Sequence, residues 1–257
     1  MNKESLNGSS IKSRGKCAML LAAGFGTRLK PFTDFHPKAL VEVNGKTLLQ
    51  YNIEYLQRFN IYNVIVNVHH FAEQIIHAIQ QNNGWGSNIT ISDETDDILE
   101  TGGGLKRAGW FLKDEEDFVL MNADVLTDLP LNEMVSFHQQ TDPLATLATT
   151  NRATSRYFLF NESNILCGWK NVKTGEQKIM RNNENLVAKA FSGIHIINSK
   201  IFSLIQQTEL KFSMVDVYLS LCAEHSILSF DHSQTKFIDV GKQESLRRAA
   251  ELFSVNL

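Results

Sequence analysis

The chain has 257 residues, 43% of them apolar and 21% charged, with sixteen phenylalanines, which is enough to bury one large core and excludes a disordered or fibrous protein. A net charge of −3 gives no global basic field and argues against extended binding to nucleic acid or to an anionic membrane. Three scattered cysteines, Cys17, Cys167 and Cys222, without C-x-x-C spacing argue against a zinc site or a disulfide framework and fit a cytoplasmic protein.

Met1 to about Gly15 is polar and rich in Ser, Asn and Lys; it reads as a mobile tail without the apolar centre of a signal peptide, ahead of a single domain over residues 16–257. No stretch approaches the roughly eighteen apolar residues of a membrane span. Cys17–Leu21 is the first predicted strand. Thr47–Phe59 has apolar residues at helical spacing with Thr47 placed to cap it. Asn63–Val68 reads as a strand, Phe71–Ile79 as a helix, Ser87–Ser92 as a strand, and Leu105–Phe111 as a helix behind a glycine-rich turn. Asp117–Met121 is the next strand, followed by a helix from Leu131 to about Gln140 and the strand Leu144–Thr149. This alternation predicts βαβ units and an α/β, Rossmann-like fold with a mostly parallel central sheet flanked by helices. Tyr157–Leu159 and Ile165–Trp169 flank the turn Asn161–Asn164 as a β-hairpin insertion over one sheet edge, and Lys189–Ile196 alternates like a further strand. Helices near Lys200–Gln206 and Val215–Ala223, strands Ile227–Phe230 and Thr235–Ile238, and a helix Glu244–Phe253 complete the pattern. No internal repeat and no hexapeptide β-helix pattern occurs.

In open parallel sheets ligands sit beyond the carboxyl ends of strands, so the loop after the first strand is the first place to look for function. That loop is A-A-G-F-G-T-R-L, Ala22 to Leu29. Gly24 and Gly26 allow a tight turn whose N–H groups can approach an oxyanion. It is neither a dinucleotide fingerprint, since Leu29 stands where the third glycine of G-x-G-x-x-G belongs, nor a Walker loop. Arg28 can clamp two phosphate oxygens, and Lys38, returned by the turn Pro31 to Pro37, supplies a point charge. Asp124, behind the strand Phe118–Met121, and Asp239, behind Thr235–Ile238, sit at strand carboxyl ends and suit magnesium, which prefers oxygen ligands and takes one or two carboxylates. The other reading of each Asp is a turn residue or helix cap.

Leu21–Leu49, LAAGFGTRLKPFTDFHPKALVEVNGKTLL, closely resembles the signature of the sugar-1-phosphate nucleotidyltransferases: L-A-A-G-x-G-T-R-L-x-P-x-T, then P-K-x-L, then V-x-G-x-x-L. The resemblance implies a nucleotidyltransferase fold and the reaction of a nucleoside triphosphate with a sugar 1-phosphate to a nucleotide sugar and pyrophosphate. It puts the triphosphate on Leu21, Ala22, Ala23, Gly24, Gly26 and Thr27, with Arg28 on the departing pyrophosphate and Lys38 near the α-phosphate. Asp124 and Asp239 resemble the family's metal pair, although Ala123 replaces the usual glycine before the first, and Lys242–Gln243 replaces a Thr-Pro after the second.

Thr101, Gly102, Gly103 and Gly104, in LETGGGL, correspond to an element that packs along the nucleotide, in a version similar to N-acetylmuramate-1-phosphate uridylyltransferases of cell wall recycling. Asn67 and His70, ending the second strand, are expected sugar contacts, with surface or capping roles as the alternative. Lys170 corresponds loosely to an acceptor-phosphate lysine whose E-K-P motif is absent, and Gly193 to a glycine that lets the acceptor approach the sheet. Arg152, Arg156 and Arg181 are further cations, and Trp169 could wall the sugar ring. UTP with N-acetylmuramate 1-phosphate is the favoured pair. GTP with mannose or heptose 1-phosphate, and a non-catalytic homologue that binds sugar nucleotide to regulate a partner, are the alternatives. A monomer or homodimer is expected.

Overall fold

A computed structural model of the protein describes residues 14–254. The tail read over residues 1–15 lies outside the described residues except for its last two, which already belong to the first strand, β1 (Arg14–Leu21). Two short strands, β2 (Glu42–Val43) and β3 (Lys46–Thr47), precede α1 (Leu48–Gln57), whose first turn is capped by Thr47 Oγ1 accepting from the Gln50 amide at 3.1 Å. Then come β4 (Asn63–Val68), α2 (Ala72–Gln81), β5 (Asn88–Asp93), α3 (Glu100–Arg107), α4 (Gly109–Leu112), β6 (Asp117–Asn122), β7 (Val125–Thr127), α5 (Leu131–Thr141) and β8 (Ala145–Thr150). The second half comprises β9 (Arg156–Phe160), β10 (Leu166–Asn171), β11 (Gln177–Ile179), β12 (Val187–Asn198), α6 (Ile201–Leu204), α7 (Met214–Leu221), β13 (Ile227–Asp231), β14 (Phe237–Asp239) and α8 (Gln243–Leu252).

The main sheet runs β11-β10-β9-β12-β6-β1-β4-β5, with β8 on β12 and β13 on β8. β6, β1, β4 and β5 are parallel, as βαβ crossovers require. Strand alternation sends side chains to opposite faces. Ala18, Leu20, Val64, Val66, Val119 and Met121 meet α1, α2 and α5, while Cys17, Met19, Ile65, Phe118 and Leu120 meet α3, α4, α6 and α7. Both faces are covered, which is why these strands read as continuous apolar runs. A third, smaller cluster joins Leu29, Val41, Leu48, Leu126, Ile238, Val240 and Ala249, tying the loop after β1 to β7, β14 and α8.

The hairpin forms as β9 and β10 and continues into β11, and it is not a separate layer: β12 pairs with β9 through Val187–Lys189, then with β8 and β6. Gly102–Gly104 correct the expected turn, because they lie inside α3. There the neighbouring chain dictates glycine. A Cβ on Gly103 would stand 2.1 Å from the Leu210 carbonyl oxygen, and the Gly102 and Gly103 amides donate to Phe212 O at 2.9 and 3.1 Å. A run of poor helix formers becomes helix since its backbone must touch segment 210–212.

Candidate functional site

β1 delivers its chain to a loop pinned at both ends. The Ala22 amide donates to Asn67 Oδ1 at 2.7 Å, and Asn67 Nδ2 donates to Glu94 Oε1 at 2.8 Å, so three parallel strands hold the loop's entry. Gly26 takes φ +63°, and a Cβ there would stand 2.9 Å from that of Lys38. This close approach lets the single turn Lys38–Leu40 lean on the loop and aim Lys38 at its mouth. Gly24 differs: a Cβ there would meet nothing within 4 Å, so the fold itself does not demand glycine at this exposed point.

Asp124 lies between β6 and β7, and Asp239 ends β14. Antiparallel pairing of β7 with β14 sets Asp239 opposite Val125, and the Val240 amide donates to Asp124 O at 2.9 Å. The two acids, 115 residues apart in sequence, thus meet beside the loop. Lys38 Nζ forms an ion pair with Asp124 Oδ2. Burial, and then the Asp124 charge, hold the Asp239 carboxyl above the usual carboxylate range, while Lys38, Arg28 and Arg152 pull it back. Its Oδ1 is buried with no hydrogen-bond partner. A buried carboxylate oxygen left bare beside a second carboxylate fits a hard divalent cation that draws its other ligands from phosphate and water. Among the described residues no third His, Cys, Asp or Glu joins the pair. Arg28 is exposed and reaches over the turn after β14: a Cβ on Gly241 would come within 3.0 Å of its Nη2.

Two adjoining cavities open here. The first, about 210 Å³, is lined by Leu21, Ala22, Ala23, Gly24, Lys38, Asn67, Thr101 and Asp124. The second, about 530 Å³, shares Gly24, Ile98, Glu100, Thr101 and Asn122 with it and continues between Arg152, Arg156, Tyr157, Trp169, Phe191 and Tyr218. An aromatic-lined space with a few cations suits a sugar bearing anionic groups.

Several expected site residues stand elsewhere. Gly26, Thr27 and Arg28 flank the first cavity without lining it, and Gly102–Gly104 are packed into the helix behind it. His70 packs in tilted contacts with Phe25 and Phe71, with ring centroids 5.3 and 4.0 Å away, against the loop. Lys170 lines neither cavity and sits over the Tyr157 ring at 5.8 Å. Gly193 has φ +74°, and a Cβ would stand 2.6 Å from Asn122 Nδ2; it bends β12 around a residue that lines both cavities. Arg181 is consumed by structure, donating to Cys222 O and Ala223 O at the end of α7.

Glu94, Glu100 and Asn122 line the site without having been singled out from the sequence. Glu94 is fully buried, its Oε2 lacks a hydrogen-bond partner, and burial raises its carboxyl above the ordinary range. An acidic residue just after a predicted strand was the one signal available, and the D-E-T-D-D run around it reads as a solvated charge cluster.

A sequence profile described as nucleotidyl transferase matches residues 17–254. The chain is 30% identical over 246 residues to the mannose-1-phosphate guanyltransferase of Yarrowia lipolytica, covering 93% of this chain and 64% of that protein. It is 45% identical over 95 residues to the N-acetylmuramate alpha-1-phosphate uridylyltransferase of Caulobacter vibrioides, covering 36% of this chain and 39% of that one. The chain therefore spans less than two thirds of the length of these relatives. The crystal structure of HddC from Yersinia pseudotuberculosis complexed with GMP-PN superposes with a TM-score of 0.74 at 22% identity, covering 93% of this chain and 100% of that one, a likeness of fold. With the profile spanning nearly every described residue and the same α/β architecture underneath, the chain belongs to the nucleotidyl transferase family.

Proposed function

We propose that the protein transfers a nucleotidyl group from a nucleoside triphosphate to a sugar 1-phosphate, releasing pyrophosphate. One observation carries this reading: Lys38 and Asp124 line the first of two adjoining cavities beside the loop after β1, and Asp239 is set against Asp124 by the pairing of β14 with β7. Two anionic substrates that repel must be held in line for an acceptor phosphate oxygen to reach the α-phosphorus, and two adjoining cavities, with Lys38 on the first and Arg152 and Arg156 on the second, suit that demand. The amides between Ala22 and Arg28 would receive triphosphate oxygens, Lys38 would balance charge near the α-phosphate, and Arg28 would do so for the departing pyrophosphate. Asp124 and Asp239 would hold magnesium, which when bound supplies charge neutralisation and alignment of the phosphates. No protein nucleophile is needed.

For the substrate pair, UTP with N-acetylmuramate 1-phosphate is supported by the E-T-G-G-G run, by the 45% stretch shared with the Caulobacter enzyme, and by two arginines on the second cavity. A muramate carries a carboxylate besides its phosphate and offers each arginine an anion. GTP with mannose 1-phosphate is the second reading, supported by the 30% identity to the Yarrowia enzyme along most of this chain. Pyrophosphate release measured for the four nucleoside triphosphates against several sugar 1-phosphates, with and without a chelator, tests all of this. The expected result is metal-dependent release with one preferred pair. Sugar-nucleotide binding without release from any pair would instead mark a regulatory binder.

A further inference from the structure

If the second cavity receives the acceptor, one group must take its phosphate, and the cations around the cleft are not equivalent. Lys38 is engaged by Asp124, Arg181 by carbonyls at the end of α7, and Lys170, itself absent from the lining, lies over the ring of Tyr157. Arg28 stands over Gly241, exposed and outside both linings. Arg156 lines the cavity but is itself exposed. Arg152 alone among these is half-buried within the lining, and its position is built. Nη2 donates to Phe191 O at 2.7 Å, and the guanidinium lies 5.2 Å from the Phe237 ring centre. Nε is buried without a hydrogen-bond partner, and among the described residues no carboxylate stands within ion-pair distance of Arg152.

A guanidinium partly withdrawn from water with its Nε unpartnered carries a desolvation cost that an anion in the cavity would offset. Its charge acts on the Asp239 carboxyl, so a residue lining the second cavity lies within electrostatic reach of the carboxylate pair. An acceptor oxygen must pass through that region to approach a triphosphate held by the first cavity.

We propose that Arg152 binds the phosphate of the sugar 1-phosphate acceptor, supplying by its planar fork what Lys170 cannot from its place on Tyr157; this rests on the transfer reaction proposed above. The experiment uses the full chain and compares wild type with Arg152→Met, Arg152→Lys and, as a control, Lys170→Met. Calorimetry measures binding of inorganic phosphate, mannose 1-phosphate, N-acetylmuramate 1-phosphate and each nucleoside triphosphate, with KM values for both substrates alongside. In Arg152→Met the acceptor constants should weaken at least about tenfold while triphosphate affinity stays within about twofold, and Arg152→Lys should recover part of the loss. Lys170→Met should leave acceptor binding near wild type. Should Arg152→Met fail to fold, Arg152→Lys decides: a higher acceptor KM at unchanged melting temperature supports the assignment, and an unchanged KM overturns it. Acceptor constants close to wild type in a folded Arg152→Met, or equal losses for both substrates, also overturn it while leaving the transfer reaction standing. Wild type that turns over no acceptor overturns both.

Discussion

In the proposed reaction, Asp239 places function and stability in opposition at one carboxyl. Its side chain is partly withdrawn from water, has one bare oxygen and faces a second acid, so the folded protein favours its protonated form. The stability linked to that raised pKa is present below the unfolded value of 3.8 and is lost as pH rises through the higher folded value. In metal-free buffer near neutrality, Asp239→Asn should therefore melt no lower than wild type and gain up to a few degrees, an advantage that vanishes in strong acid. Pyrophosphate release should fall by on the order of a hundredfold or more in the same variant and in Asp124→Asn. Thermal melts with chelator, paired with turnover assays, check both signs; full activity in either variant would remove that acid from the mechanism. The sequence singled out these two acids, which the structure brings together, because each Asp follows an apolar run. It could not rank Lys170 against Arg152, because that ranking depends on which side chain the fold places in the cavity wall.

Among the elements, the glycines separate into two kinds that look alike in sequence. At Gly24 a methyl group meets open space, whereas at Gly103 it collides with the Leu210 carbonyl oxygen. Gly24→Ala should leave the melting temperature nearly unchanged and weaken triphosphate binding. Gly103→Ala should cost roughly 1–3 kcal/mol or more of stability, since α3 must back away from its neighbour. Denaturant titration together with nucleotide binding separates the two effects, and a destabilised Gly24→Ala would contradict the open geometry. Helix propensity misplaces Gly102–Gly104 because the contact that overrides it lies about a hundred residues further along the chain. The short strands β2, β3, β7 and β11 escape notice for a different reason, as two or three residues cannot display a period. The long buried strands and the capped helix α1 were legible, since burial on both faces and a threonine before the first turn leave direct marks on composition.

Across the whole molecule, two buried histidines set the acid limit. Burial pushes His195 down to about 3 and His232 to about 4, so both stay neutral at pH 7. His195 pairs with the Tyr218 hydroxyl at 2.6 Å, and His232 bridges Thr235 and Ser192 at 2.8 Å each. A depressed folded pKa contributes stability above the unfolded value of 6.5 that disappears as pH falls toward the folded one. Each histidine should withdraw on the order of 2 kcal/mol by about pH 5, and melts recorded from pH 7 downward should show the decline. A flat profile would mean that both rings open to water.

β12 adds a geometric consequence. One end of it pairs with the hairpin that frames the second cavity, the other with β6, which leads to Asp124, and Gly193 bends between them. A one-residue slip would turn every side chain of that strand to the opposite face. The spacing between the two halves of the cleft is thus counted out in ladder rungs of roughly 3.3 Å, a ruler written into main chain. Side-chain changes in either half can retune what is held there without altering how far apart the two guests stand.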